Sequence, residues 1–124
     1  MEKEFIPYQQ ALDLKELGFD EPCIKYYWTD GMFVNGYENP FNYNKRDNVI
    51  SCPTFSQTFR WFREKYQLSA QPHYVGGDWK WYGIIVHNLK TGEQIEDAPL
   101  VIKTYEEAEL ASLNKLIEIV KEKK

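Results

Sequence analysis

The chain has few cysteines. Cys23 and Cys52 are the two among 124 residues, and neither belongs to a C-x-x-C pair. A small secreted scaffold normally carries four or more. A disulfide between the two remains open, and a zinc site that adds His73 and His87 lacks the paired short spacing of such sites. We therefore predict two partly buried thiols that act as small apolar side chains, and no metal.

The sequence also lacks a long apolar run and an excess of positive charge. No run approaches the roughly 20 residues of a membrane helix, and Met1–Glu4 lacks the basic and apolar segments of a signal peptide. Lys and Arg number 15 against 19 Asp and Glu, which gives a formal net charge of −4. These features predict a cytoplasmic protein with no membrane association and no general binding to duplex DNA.

Sequence motifs for catalysis and cofactor binding are missing. The chain has no G-x-S-x-G, P-loop, H-E-x-x-H or dinucleotide fingerprint. His73 and His87 are the only side chains that titrate near neutrality without perturbation. We predict no catalytic residue and no cofactor. The enzymatic alternative is a small hydrolase or transferase that uses one of these histidines, with Cys23 or Cys52 as a further candidate group.

Aromatic residues, by contrast, are abundant, with 4 Trp, 9 Tyr and 7 Phe. Intrinsically disordered chains have few such residues, so this composition excludes them. A length of 124 residues is typical of one domain. We therefore predict a single globular domain over residues 1–124.

Capping signals predict three helices. The first runs from about Tyr8 to Leu17, where Pro7 suits the first helical position and Gly18 the left-handed position after the last turn. Thr54 caps the second, whose apolar stripe recurs at helical spacing to Tyr66. Thr104 caps the third, with an acceptor three residues later and an apolar stripe along its length. These helices separate two regions that are rich in strand-forming residues.

The strand regions favour an α+β fold with an antiparallel sheet. Residues 23–29 and 32–34 predict a hairpin around Asp30-Gly31, and Val49-Ile50 could end a second strand. A break is expected at 69–72, before His73-Tyr74-Val75. Residues 79–89 give the strongest strand signal, and 100–102 a last strand. We expect about four strands packed with three helices in the order α-ββα-ββα.

A loop separates the first strand region from the second helix. Residues 35–48 contain five Asn, one Gly and one Pro. Loops of this length are uncommon and tend to be functional. This one also carries Tyr37, Phe41 and Tyr43, which a purely solvated loop does not need.

Strand alternation predicts an aromatic face. Trp79, Trp81 and His87 share one side of the strongest strand, and Tyr26 and Trp28 alternate in the same way. Such rings are favoured at recognition surfaces, and they can also stack on a nucleobase. The alternative is that they form the core of a small sheet. The candidate ligand-binding residues are Tyr26, Trp28, Tyr37, Tyr43, Trp79, Trp81 and His87.

Three segments carry a family resemblance. Residues 5–23, 53–66 and 105–120 resemble the opening, middle and end of a family of small proteins from Bacteroidetes bacteria and their phages and prophages. The family has no established activity, so the resemblance assigns no catalytic or binding residue. It implies a bacterial or phage setting.

Together these features favour a non-enzymatic binding or accessory protein. Its expected ligand is a host protein or a nucleotide-like small molecule, bound by the aromatic face and the 35–48 loop. An oligomeric structural protein with an aromatic subunit interface is a further alternative.

Overall fold

The computed structural model describes residues 2–36, 39–76 and 81–123, with no side-chain description for Glu2, 96–101 and Lys123. The chain divides into two compact units, Met1–Phe55 and Ser56–Lys124. The single domain expected from chain length stays a prediction.

The first unit contains one α-helix and a three-stranded antiparallel sheet. The strand order is β2-β1-β3, so β1 is central and both other strands are edges. Two short 3-10 helices, Glu2–Glu4 and Tyr43–Lys45, flank these elements. The bounds are α1 Tyr8–Leu17, β1 Lys25–Trp28, β2 Phe33–Asn35 and β3 Val49–Ser51.

Helix α1 has the bounds that its sequence signals predict. Pro7 precedes it in an extended conformation, and Gly18 follows it with φ 93°. The Gly18 N–H donates to the Lys15 carbonyl at 3.1 Å, and the Phe19 N–H donates to the Leu14 carbonyl at 2.9 Å. These two bonds form a Schellman motif, in which glycine tolerates the left-handed conformation. The prediction for this helix is confirmed.

One face of the first sheet forms the core of this unit. Tyr27 in β1 pairs with Ile50 in β3, and both side chains are buried. The Tyr8 ring of α1 meets Tyr27 edge to face, with ring centroids 5.4 Å apart. The Tyr27 hydroxyl donates to the Ile6 carbonyl at 2.8 Å, so the buried phenol has a partner.

The second unit contains a three-stranded antiparallel meander in the order β4-β5-β6. Helix α3 packs against β4 and β5. Helix α2 begins at the last residue of the first unit and continues into the second. The bounds are α2 Phe55–Tyr66, β4 Leu68–Tyr74, β5 Tyr82–Asn88, β6 Gln94–Ile102 and α3 Tyr105–Lys123.

The cap and apolar stripe of α3 are as predicted. The Thr104 hydroxyl accepts from the Glu107 N–H at 3.1 Å. Leu113, Ile117 and Val120 are buried. Burial of such a stripe supplies most of the stability of a helix in a protein.

The α+β class and the three helices are confirmed. The strands, however, form more than the one sheet that was expected. In the described part of the chain, six strands form two separate sheets, instead of about four in one. The expected break at 69–72 is wrong, because β4 runs through it. Pro72 is tolerated there because β4 is an edge strand, which can leave a missing N–H facing outward.

Among the described residues, no helix combines the length and apolar character needed to cross a membrane.

Candidate aromatic binding surface

Four aromatic rings in the first unit form a continuous chain of contacts, which we call the aromatic strip: Trp28, Tyr26, Tyr43 and Phe41. Trp28 and Tyr26 lie two residues apart in β1, so they share the sheet face opposite Tyr27. Their ring centroids are 5.6 Å apart. Tyr26 lies 4.5 Å from Tyr43, and Tyr43 lies 5.2 Å from Phe41. Tilted and edge-to-face pairs at these separations are favourable.

Tyr43 anchors the middle of the aromatic strip. Its side chain is 2% exposed. Tyr43 is the first residue of the 3-10 helix Tyr43–Lys45, which follows Phe41 in the loop. Its hydroxyl passes over Gly36, where a Cβ atom would overlap the hydroxyl oxygen and the Ile24 carbonyl. Glycine at position 36 therefore permits the position of Tyr43 across the sheet.

Asn44 joins this loop to the rest of the unit. Its side-chain carbonyl accepts from the Ser51 N–H at 2.9 Å, and its amide donates to the Phe19 carbonyl at 2.9 Å. Two backbone bonds between Cys23 and Phe41, at 2.9 and 3.0 Å, fix the start of the described loop segment. Phe41 and Asn44 thus connect the described segment 39–48 to other parts of the first unit.

The two ends of the aromatic strip are exposed. Trp28 is 39% exposed and Phe41 is 37% exposed. Met32 lies opposite Trp28 in the hairpin and is 60% exposed. The Arg46 guanidinium lies 5.1 Å from the centre of the Phe41 ring. The surface therefore offers accessible apolar rings beside a cationic group.

The structure brings together three of the seven predicted site residues. Tyr26 and Trp28 present ring surface, whereas Tyr43 is buried and supports Tyr26 from behind. Tyr37 and Trp79 lie outside the described residues.

The remaining two predicted residues belong to the second unit. Trp81 lies just before β5, and its carbonyl accepts from the Val75 N–H at 2.8 Å. His87 lies within β5, in a different sheet from Tyr26 and Trp28. These two residues are therefore not part of the sheet face that carries the aromatic strip.

The two histidines lie at separate positions of the second sheet. His73 pairs with Gly83 and is exposed, while His87 pairs with Ser69 and is half-buried. The two pairs lie four positions apart along the strands, or about 13 Å at the usual rise per residue. Among the described residues, no side-chain hydrogen bond joins Ser69 to His87. A nucleophile held by an oriented base would need such a bond.

The cysteines are buried free thiols. Burial raises the pKa of Cys23 to about 12, and the neighbouring Cys52 adds to this shift. Burial likewise raises the pKa of Cys52 to about 12, against smaller opposite effects of Tyr27 and Lys25. Both thiols are protonated at neutral pH, and a protonated thiol is a poor nucleophile and metal ligand. Among the described residues there is no cluster of three or more metal-ligating side chains.

Three residues of this surface were not among the predicted site residues: Phe41, Met32 and Arg46. The hairpin register around Asp30-Gly31 could have placed Met32 opposite Trp28, and Phe41 is one of the loop aromatics noted from sequence. Nothing local in the sequence indicates that Arg46 lies against Phe41, because their contact depends on how the loop folds back.

Comparisons with protein-family models, with curated proteins and with solved structures gave no match in any of the three cases.

Proposed function

We propose that this protein is a non-enzymatic binding protein that recognises its ligand through the exposed ends of the aromatic strip. The observation that carries the proposal is the exposure of Trp28 and Phe41 at the ends of a ring chain anchored by the buried Tyr43. Such rings are held in place before binding, so less side-chain entropy is lost when a ligand covers them.

The chemistry of the surface suits two kinds of ligand, a host protein and a nucleotide-like molecule. Trp and Arg are among the residue types enriched at the hot spots of protein interfaces, where truncation to alanine costs about 2 kcal/mol or more. A nucleobase would stack on the same rings, with Arg46 available to a phosphate group. The family resemblance supports a phage or prophage accessory role in a bacterial host.

Native mass spectrometry tests the proposal directly. The wild-type protein is purified from a Bacteroidetes host alongside Trp28→Ala and Phe41→Ala. Leu89→Ala serves as the control, because Leu89 is an exposed apolar residue of the second unit. We expect an additional bound mass with the wild type and the control, and its loss in both strip variants while circular dichroism shows an unchanged fold. Equal retention by Trp28→Ala and the wild type would exclude the aromatic strip as the site.

Titration with adenosine monophosphate separates the two ligand classes. A nucleotide-like ligand is expected to shift the Trp28 indole NMR signal, and Arg46→Ala should weaken that shift. The Lys15 ammonium donates to the backbone carbonyl of Arg46 at 2.7 Å. Because this acceptor belongs to the backbone, Arg46→Ala removes the guanidinium group and keeps that hydrogen bond. Absence of any shift, together with a bound protein in the mass spectrum, would assign the surface to a protein partner.

The alternatives from sequence have their own tests. A histidine-dependent hydrolase or transferase would lose its activity on any substrate found when His73 or His87 is replaced by alanine. A structural protein with an aromatic subunit interface would show a mass in solution that increases with protein concentration, and Trp28→Ala would abolish this increase.

A further inference from the structure

Three tyrosines in the second unit form a separate aromatic group, which we call the tyrosine cluster: Tyr74, Tyr82 and Tyr105. Tyr74 and Tyr82 pair directly across β4 and β5, with ring centroids 5.2 Å apart and planes inclined by 57°. Tyr105, the first residue of α3, lies 6.0 Å from Tyr82 at 81°. Tyr82 is thus the middle ring between two rings inclined to it.

The outer rings of the tyrosine cluster are open to solvent. Tyr74 is 53% exposed and Tyr105 is 49% exposed, whereas Tyr82 is half-buried. Strand and helix positions fix their backbones, so the ring surfaces are available without rearrangement. The face of an aromatic ring carries negative electrostatic potential, which attracts cations.

A carboxylate with no hydrogen bond or ion pair among the described residues lies near Tyr105. Glu109 is half-buried one turn into α3, and in the described part of the chain it has no hydrogen bond or ion pair. Partial burial raises the pKa of Glu109, and the charge of Glu106 raises it further. The pKa of Tyr105 is raised as well, first by burial and then by the charge of Glu109, which indicates that the two groups are neighbours.

The charges around the tyrosine cluster are mainly negative. Glu106 and Glu107 are exposed in the first turn of α3, and Lys103 precedes this turn. A bound cation would neutralise Glu109 and would also meet the negative ring faces. We propose that the tyrosine cluster and Glu109 form a binding site for an arginine side chain presented by a partner protein.

The geometry favours arginine over other cations. The guanidinium group is planar, so it stacks on an exposed ring while its edge donates hydrogen bonds to a carboxylate. It is also less strongly hydrated than the ammonium group of lysine, so its desolvation costs less. A quaternary ammonium ion has no N–H to donate to Glu109. The site lies in the second unit and is independent of the aromatic strip.

The full-length protein is titrated with the peptide acetyl-Gly-Arg-Gly-amide, and backbone amide shifts are followed by NMR. The matched probe replaces arginine by citrulline, which has nearly the same shape and no charge. We expect saturable shifts at Tyr74, Tyr82, Tyr105 and Glu109 with arginine, and binding at least about tenfold weaker with citrulline. Equal binding of the two peptides, or shifts located elsewhere, would overturn the proposal.

Variants separate the cluster from the general negative charge of α3. Tyr105→Leu and Glu109→Gln should each weaken the binding of the arginine peptide by about fivefold or more. Glu107→Gln removes the same charge from the neighbouring turn and should leave binding unchanged. An equal effect of Glu107→Gln and Glu109→Gln would show a diffuse electrostatic attraction and contradict the site. Tighter binding of tetramethylammonium than of the arginine peptide would also overturn it.

Discussion

At the scale of single residues, the chemistry of the cysteines follows from their burial. Cys23 and Cys52 have pKa values raised to about 12, so the native thiols are not nucleophilic at moderate pH. We expect iodoacetamide at pH 8 to leave both unmodified in the native protein and to alkylate both in guanidinium chloride, as measured by intact mass. Rapid alkylation of the native chain would contradict the buried environment of these thiols.

Glu109 gives a residue-scale prediction for pH dependence. Its pKa is raised above the ordinary value of 4.5, first by burial and then by Glu106, so the folded state holds its proton more tightly than the unfolded state. This carboxyl therefore lowers stability as pH rises through that window. We expect Glu109→Gln to have a higher Tm than the wild type at pH 7, with the difference shrinking toward pH 4. A lower Tm of the variant at pH 7 would contradict this assignment.

At the scale of structural elements, Asn44 holds the loop onto the first sheet and the end of α1. Asn44→Ala leaves the Ser51 N–H and the Phe19 carbonyl without their side-chain partner. We expect a loss of about 1–3 kcal/mol in the free energy of unfolding, measured with urea. Asn44→Asp keeps the acceptor for Ser51 but places a negative charge against the Phe19 carbonyl, so it should not restore stability.

The control for Asn44 is Asn48→Ala, since Asn48 is exposed in the same loop. The free energy of unfolding of this variant should lie within about 0.5 kcal/mol of the wild-type value. Equal losses for the two alanine variants would show that the Asn44 hydrogen bonds do not stabilise the loop.

Gly36 determines the position of Tyr43 in the aromatic strip. A Cβ atom in Gly36→Ala would overlap the Tyr43 hydroxyl and the Ile24 carbonyl, and a backbone carbonyl cannot move as freely as a side chain. We expect a destabilisation of about 1–3 kcal/mol and altered ring-proton shifts of Tyr26 in NMR spectra. An unchanged Tyr26 spectrum would show that Tyr43 does not depend on this glycine.

At the scale of the whole molecule, the two compact units raise the question of cooperativity. Units of 55 and 69 residues are near the size at which an isolated domain is marginally stable. Because neither unit is expected to be more than marginally stable by itself, we expect both units to unfold in one transition, as the single-domain prediction requires. Hydrogen exchange measured across a urea series should give the same midpoint for amides of β1 and β5. Two separate midpoints would contradict the single-domain prediction.

The fold class and the helices were predictable because their signals are local. Pro7, Gly18 and Thr104 act on backbone groups within a few residues, so the limits of α1 and the start of α3 can be derived from neighbours in the chain. The part of β4 before His73 was missed because Pro72 is typical of a break in a strand. Whether a strand can contain Pro72 depends on which strands lie beside it, and local sequence does not determine this.

The candidate site was predictable only in part. The alternation of Tyr26 and Trp28 predicted that they share one face, and the aromatic loop indicated where further rings would come from. The exposure of Phe41 and the burial of Tyr43 were not predictable, because the Cys23–Phe41 bridge and the bonds of Asn44 join residues 7–25 positions apart. The tyrosine cluster was not predictable for the same reason. It brings together the end of β4, the start of β5 and the start of α3, which are distant in the chain.

The sequence by itself determined the helix limits, the Asp30-Gly31 hairpin and the α+β composition, since caps, turns and periodicity act over a few residues. The tertiary structure alone decided that the strands form two sheets, that Tyr43 supports the strip from a buried position, and that Tyr82 of β5 lies against Tyr105 of α3. Strand pairing and burial are set by residues distant in the chain. The physical reason is that these arrangements arise from the packing of the whole unit and not from local conformational preference.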